Sequence, residues 1–287
     1  KAPRGFIIVA FDYSQAELRV LASVSEDNAM INTFLDGIDI HQKTGALLFN
    51  VPIDVVTKLQ RHTGKTTNFG IVYRMGFAAL AEKFCGALLE KNNDEYPQED
   101  EEFVMQKTTE EAESILASLK AKVTIPKREL KEPFKKSCDP VFYELSQYVL
   151  KSHRQEFPQV WDWIERTEKF AIKHGFVQAP TGRVCFVPDI HSRNRGKAGE
   201  SKRLAVNAPI QGTSSDLTVS AMNRVQDWIE EEELQDDVQM INQVHDAVYY
   251  LMRLDNHFSE RVHHIKTLME DTSAFSFMRV PFAVDLE

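Results

Sequence analysis

Two strand-like runs that finish on an aspartate stand near opposite ends of this chain. The first, Gly5-Phe-Ile-Ile-Val-Ala-Phe11, leads into Asp12 and then at once into a helical pattern. The second lies within Val238 to Leu251, where two strand-like stretches flank Gln243-Val-His-Asp246 as in a hairpin. More than 220 residues, most with helical periodicity, separate the two. If the runs are neighbours in one sheet, a large helical block is inserted between adjacent strands and the two carboxylates converge. Taken singly, each aspartate is more simply a cap or turn residue. As a converging pair they can hold divalent cations, because magnesium takes oxygen ligands and needs few protein carboxylates when phosphate and water complete its shell.

Between these ends the pattern is mostly helical. Gln15 to Ser23 reads as a helix with Ser14 as N-cap and Glu17 completing a capping box. Helical patterns continue to about residue 84, with His41 inside DIHQKTGALLF. Residues 86–138 are mostly polar, and one helix is expected there, Thr109 to Lys122, stopped before Pro126. Pro140 to His174 is helical again, Pro180-Thr-Gly182 signals a turn, and Arg183 to Val187 is strand-like. A long helix is expected from Ser201 or Arg203 into Trp228, a further helix over Asn256 to Met269, and a last strand over Val280 to Leu286.

Arg61, Lys65, Phe69 and Tyr73 recur every four residues in QRHTGKTTNFGIVYRMG, which stacks them along one helix face. Fixed cations bind a polyphosphate, and a ring just beyond them packs on a sugar or base. A solvated basic face running into core aromatics gives the same pattern, and this segment alone does not separate the two. The net charge of −9 argues at first sight against a nucleic-acid partner. Acidic residues, however, crowd into Asp94–Glu113 and Glu230–Asp237, while basic residues gather at Arg61–Lys65 and between Arg183 and Arg203. Local patches decide binding, so composition neither supports nor excludes DNA. No apolar run reaches membrane-spanning length, and Cys85, Cys138 and Cys185 lack paired Cys/His spacing, which fits a reducing cytoplasm.

FDYSQAELR (residues 11–19), RHTGKTTNFGIVY (61–73) and QVHDA (243–247) resemble motifs A, B and C of the A-family, polymerase-I-like DNA polymerases, in the family's order. GIDIHQKT (37–44), PTGRVCFVPDI (180–190) and KRLAVNAPIQGTSSD (202–216) add to the resemblance, which covers nearly the whole chain apart from about 86–138. It implies an α+β fold: a right-hand polymerase palm (1–22 and 191–287) with a short antiparallel sheet, and mostly helical fingers (23–190) that include the inserted subregion. It also implies template-directed addition of dNTPs to a primer 3′-hydroxyl by two-metal-ion nucleotidyl transfer, with Mg2+ as the cofactor and Mn2+ as a substitute. Asp12 and Asp246 resemble the catalytic metal ligands, joined by the Tyr13 main-chain carbonyl. Arg61 and Lys65 resemble the residues that hold the triphosphate, Lys65 also protonating the pyrophosphate, and His41 a further phosphate contact. Phe69 corresponds to the ring that packs on the sugar and Tyr73 to the one that stacks at the templating position. Glu17 resembles the gate that crowds a ribose 2′-hydroxyl, and Gln15 and Tyr13 complete the dNTP-binding set. Arg203, Asn207 and Gln211, spaced by four, resemble primer–template contacts, and His245 the contact to the primer terminus. In isolation Glu17 is a capping acid, His41 a surface or core histidine, and Arg203 and Gln211 an exposed helix face; joint occurrence in family order is what favours function.

Two positions depart from the family pattern. Ala247 stands where motif C usually ends in glutamate, and Arg74 where glycine usually follows the motif B tyrosine. Glycine there is expected to let the template approach closely, and an arginine instead to grip its phosphates. The thumb and exonuclease region of the family is not recognised in this sequence and is expected from an N-terminal part or from another chain. The insertion and the divergent motif edges fit a phage-type member working in a bacterial host cytoplasm. Two further readings stay open: a noncatalytic DNA-binding subunit built on a decayed polymerase core, suggested by Ala247, and a single-subunit RNA polymerase, against which Glu17 and the DYSQ context speak.

Overall fold

The first strand, β1 (Phe6–Tyr13), buries Val9, Phe11 and Tyr13 on one face and so turns Asp12 to the other. The structure is a computed structural model that describes residues 2–133 and 137–286. After β1 come α1 (Ala16–Ser25), α2 (Asn28–Leu35), α3 (Ile40–Phe49), α4 (Lys58–Val72), α5 (Phe77–Glu95), α6 (Glu101–Lys120), α7 (Pro140–Glu156) and α8 (Pro158–His174). The chain continues through β2 (Phe176–Gln178), β3 (Val184–Phe186), α9 (Arg195–Glu231), β4 (Val238–Val244), β5 (Ala247–Arg253), α10 (Phe258–Glu270) and β6 (Val284–Leu286). It forms two compact units, Lys1–Glu26 with Glu165–Glu287, and Asp27–Ile164, with the boundary inside α8.

The first unit is built on a mixed-length antiparallel sheet in the order β4-β5-β1-β6. The two strand-like ends of the sequence are therefore direct neighbours. Phe11 pairs with Val248 and Val9 with Tyr250, and the Phe11 and Tyr250 rings meet edge to face at 5.4 Å. Phe11, Val248, Tyr250 and Met252 are fully buried, so this face is a core that fixes the register; a slip of one residue would turn all of them outward. Tyr13 adds a buried hydrogen bond, its hydroxyl donating to the Met269 carbonyl of α10 at 2.7 Å. The long helix α9 packs on α1 and α10 and buries Ala221, Val225 and Ile229 along one stripe.

Three local expectations are corrected in this unit. No capping box opens α1: Gln15 sits at the N-cap in the left-handed region (φ 57°) without a side-chain cap bond, because the Ser14 N–H still pairs with Ala283 O of the sheet. Helix α9 begins well before Ser201, since Asn194 caps it by accepting from the N–H groups of Gly196 and Lys197. The last strand is shorter than Val280 to Leu286, pairing with β1 only over Val284–Leu286.

The second unit is helical, and its polar segment is more ordered than its composition suggests. Residues 86–138 do not hold one helix. Helix α5 runs on to Glu95, and α6 spans twenty residues from its Asp100 cap. Val104, Thr108, Ala112, Ile115 and Leu119 recur at helical spacing and are buried, the last three in one cluster with Phe84, Leu88, Phe142 and Leu145, while most of the glutamates are exposed. The apolar face is sparse in letters but continuous in space.

Helices α3 and α4 approach each other unusually closely. A Cβ built on Gly64 falls 2.1 Å from His41 O, and one on Gly45 falls 2.6 Å from Gln60 O. Only glycine fits either position without moving a main chain. Gly64→Ala is expected to lower stability by about 1–3 kcal/mol through this overpacking, measured by denaturant unfolding, whereas alanine at Gly86, where a Cβ meets open space, should cost nothing comparable.

Candidate active site

Sheet register sets the first group of functional side chains. β4 and β5 form a two-residue hairpin, Val244 pairing with Ala247, so His245 and Asp246 occupy the turn. His245 holds φ 57°, a conformation that lifts the turn tip, and its carbonyl accepts from Gln243 Nε2 at 3.0 Å. Across the sheet Asp12 lies directly opposite Ala247, one residue from Asp246. The loop after Asp12 is pinned: Arg19 donates from Nε to Ser14 O (2.8 Å) and from Nη1 to Pro281 O (2.7 Å). Burial pushes the Tyr13 phenol well above its usual value, so Tyr13 is a neutral core ring here.

A cleft of about 360 Å³ in the same unit is lined by Glu17, Gln211, Ser214, Ser215, Thr218, His245 and Asp246. Glu17 from α1, Gln211 from α9 and the hairpin turn are thus brought together at one cleft. Ser214, Ser215 and Thr218 were not foreseen; one and two helical turns past Gln211, they follow from its own helix phase. Arg203 is exposed on α9, and Asn207, one turn on, has a buried Oδ1 without a protein partner.

The second group is carried by α4. Thr57 and Gln60 form a reciprocal capping box at its start, a signal present in the Thr-x-x-Gln spacing. The expected stripe forms, with Phe69 and Tyr73 rings nearly parallel at 6.0 Å and Lys65 Nζ 6.0 Å from the Phe69 ring. The His41 ring also packs on Phe69, tilted by 39° at 5.6 Å. Lys65, Phe69 and Tyr73 open onto a groove of about 630 Å³ that also involves His62, Glu82, Lys83 and Glu90. Arg61 is not a lone cation: its Nε and Nη2 both donate to Asp39 Oδ2, at 3.1 and 2.6 Å. Asp39 meanwhile caps α3 through the N–H groups of His41 and Gln42. Burial raises the Asp39 carboxyl, but the hydrogen bond from Arg61 and those from α3 outweigh it and hold it below the ordinary range.

A family model described as DNA polymerase family A matches residues 1–112 and 141–287. The chain belongs to DNA polymerase family A. It is 29% identical to the DNA polymerase I of Pseudomonas aeruginosa over 254 residues, covering 88% of this chain and 22% of that protein. It is 31% identical to the thermostable DNA polymerase I of Thermus aquaticus over 247 residues, 86% of this chain and 23% of that one. The chain thus spans less than a quarter of the length of these relatives. In fold it matches the POL domain of Pol1 from M. smegmatis with a TM-score of 0.73 at 23% identity, over 99% of this chain and 40% of that one.

The family A match runs through α5 and into α6 as far as residue 112 and resumes at residue 141. Arg74 follows the C-cap of α4 at φ 53°, with its N–H bonded to Ile71 O and that of Met75 to Gly70 O. These two bonds make a Schellman ending, whose left-handed position glycine occupies most easily. Backbone conformation is therefore sufficient reason for a family A glycine here, apart from any template approach. Gln15 and His245, inside motifs A and C, and Arg74, just after motif B, share this strained left-handed region.

His41 is 2% exposed, and burial lowers its imidazole to about 4, with Arg61 and Lys65 acting in the same direction and Asp39 against it. A group with a folded value below its ordinary 6.5 binds fewer protons folded than unfolded between the two values. The neutral ring's stability is therefore complete above about pH 6.5 and is lost as pH falls toward 4. Buried His153, lowered to about 3, has the same sign. Melting temperature should hold between pH 7 and 8 and fall steadily from pH 6.5 to 4.5, with a shallower fall in His41→Gln.

Proposed function

We propose that this chain is the nucleotidyl-transfer portion of a template-directed DNA polymerase, extending a primer 3′-hydroxyl with dNTPs. The observation that carries this reading is the placement of Asp12 on β1, directly across from Ala247 and beside Asp246 of the neighbouring hairpin turn. The solved neighbour's description as a complex with DNA primer-template and dNTP supports the same substrates for this chain.

The donor set suits magnesium. Asp12 and Asp246 offer hard carboxylate oxygens, Tyr13 offers a main-chain carbonyl, and no cluster of three or more His, Cys, Asp or Glu able to hold a metal occurs among the described residues. Two protein carboxylates with water and substrate phosphate completing the shell is the arrangement magnesium favours and zinc does not. When bound, such ions lower the charge on the attacking and leaving oxygens. Manganese substitutes on the same donors.

The protein's own groups do the remaining work. Lys65 places its ammonium over the groove to bind phosphate and to give a proton to the departing pyrophosphate. Arg61 spends two N–H donors on Asp39 and keeps three for phosphate, in an orientation the ion pair fixes. Phe69 offers a ring face to the sugar, and Tyr73 one to the templating base. Glu17, lining the cleft with Asp246, crowds a 2′-hydroxyl and selects deoxynucleotides. Gln15, with Tyr13, completes the dNTP-binding set. Arg203, Asn207, Gln211, His245 and Arg74 contact primer and template. A thumb and exonuclease region, in the same polypeptide or another, completes the enzyme. Ala247 removes an accessory acid without removing either principal aspartate.

Asp246→Ala should reduce primer extension on the order of 10²-fold or more, the scale of losing a group that stabilises charge in a transition state. Primer-template binding, read by fluorescence anisotropy, should be unchanged. Extension that survives the substitution contradicts the role given to Asp246. DNA binding without template-dictated incorporation by the unsubstituted chain would favour a noncatalytic subunit.

A further inference from the structure

His41 reaches the α3–α4 crossing with one ring nitrogen already committed. Its Nδ1 lies 3.2 Å from Asn68 Nδ2 on α4. A histidine nitrogen can donate or accept, so the contact alone does not say where the proton is. The surroundings of Asn68 do. The same Asn68 nitrogen is 3.3 Å from the Ile40 carbonyl, and the Asn68 oxygen is 2.9 Å from Thr44 Oγ1. A main-chain carbonyl only accepts. Turning the amide over would set Asn68 Oδ1 against Ile40 O, two acceptors face to face in a buried site where neither can turn to water. The Thr44 hydroxyl also lies 2.9 Å from Ile40 O and has one hydrogen to give, so it does not orient the amide; the Ile40 carbonyl does, and with the NH2 toward it and His41, Nδ1 accepts.

We propose that Asn68 is a positioning residue that locks His41 as the neutral Nε2–H tautomer, making it a fixed hydrogen-bond donor for the triphosphate of the incoming nucleotide. The proposal rests on the reading of His41 as a phosphate contact. The Nε2–H is available for that task. No protein acceptor bonds it among the described residues, and it is not among the buried side-chain atoms left without a partner, which are Asn207 Oδ1 and Tyr250 OH. It therefore meets solvent. The charged groups around the ring are Asp39, Arg61 and Lys65. The two cations supply the attraction for a polyphosphate, and a third positive charge on a buried ring would repel them both. A neutral donor adds direction without adding charge. Gly64 belongs to the same device: its missing side chain allows the His41 main chain to sit against α4, within reach of Asn68.

The tautomer is read directly by 15N NMR of histidine-labelled protein at pH 7, with His41 assigned from the spectrum of His41→Gln. The expected result is a single Nε2–H pattern for His41. Asn68→Asp replaces the donor NH2 with a carboxylate that accepts from Nδ1, so His41 should change to the Nδ1–H or the doubly protonated pattern. The same variant should bind dATP in Mg2+ about tenfold more weakly by equilibrium titration, the scale of one hydrogen bond to a charged group. An Nδ1–H or charged His41 in the unsubstituted protein overturns the proposal, and this outcome needs no variant to fold. An Nε2–H ring whose replacement in His41→Gln leaves dATP affinity unchanged instead overturns the phosphate-contact reading beneath it.

Discussion

Two glycines on facing helices set how closely α3 and α4 can cross, and the candidate nucleotide-binding face depends on that crossing. Gly45 and Gly64 let the α3 and α4 main chains come closer than any side chain would allow. At that distance His41 packs on Phe69, Asn68 reaches both Ile40 and His41, and Asp39 spans the gap to Arg61. Each of these contacts joins α3 to α4, and each would lengthen if the helices moved apart. The stripe that looks like a property of one helix is in fact a property of a pair. One helix presents the cations and rings, and the other holds Arg61 through Asp39 and packs His41 on Phe69.

The first unit depends on a comparable constraint of another kind. Its carboxylates are not placed by any direct bond between them but by the register of β1 against β5. That register is set on the opposite face of the sheet, where Phe11, Val248 and Tyr250 are fully buried. The apolar face thus aligns the polar one, since a period-two strand cannot shift one face without the other. The bonds from Arg19 to Ser14 and Pro281 then hold the turn that follows Asp12.

What was legible in the sequence was local or repeated at short period. Strand runs ending in Asp12 and Asp246, the four-residue stripe on α4 and the order of the three motifs needed no knowledge of packing. What was not legible depended on partners far along the chain. Asp39 lies 22 residues from Arg61 and His41 lies 27 from Asn68, and no spacing rule links them. Helix α6 was underestimated because its buried face uses alanine and threonine among many glutamates. The end of α4 was obscured for the opposite reason: Arg74 stands in a conformation that glycine normally announces. Ser14 and Glu17 illustrate the converse error, a correct capping pattern overridden because the sheet had already taken the Ser14 N–H.

The central claim is that the face formed by the α3–α4 crossing is where a nucleotide is held. Hydrogen–deuterium exchange of the chain with and without dATP in Mg2+ measures this most directly, because bound phosphate orders the backbone beneath it. The account predicts slower exchange in α4 and in the first turn of α3, with α6 unaffected. Protection absent from both of those segments, or confined to elements outside them, would contradict it.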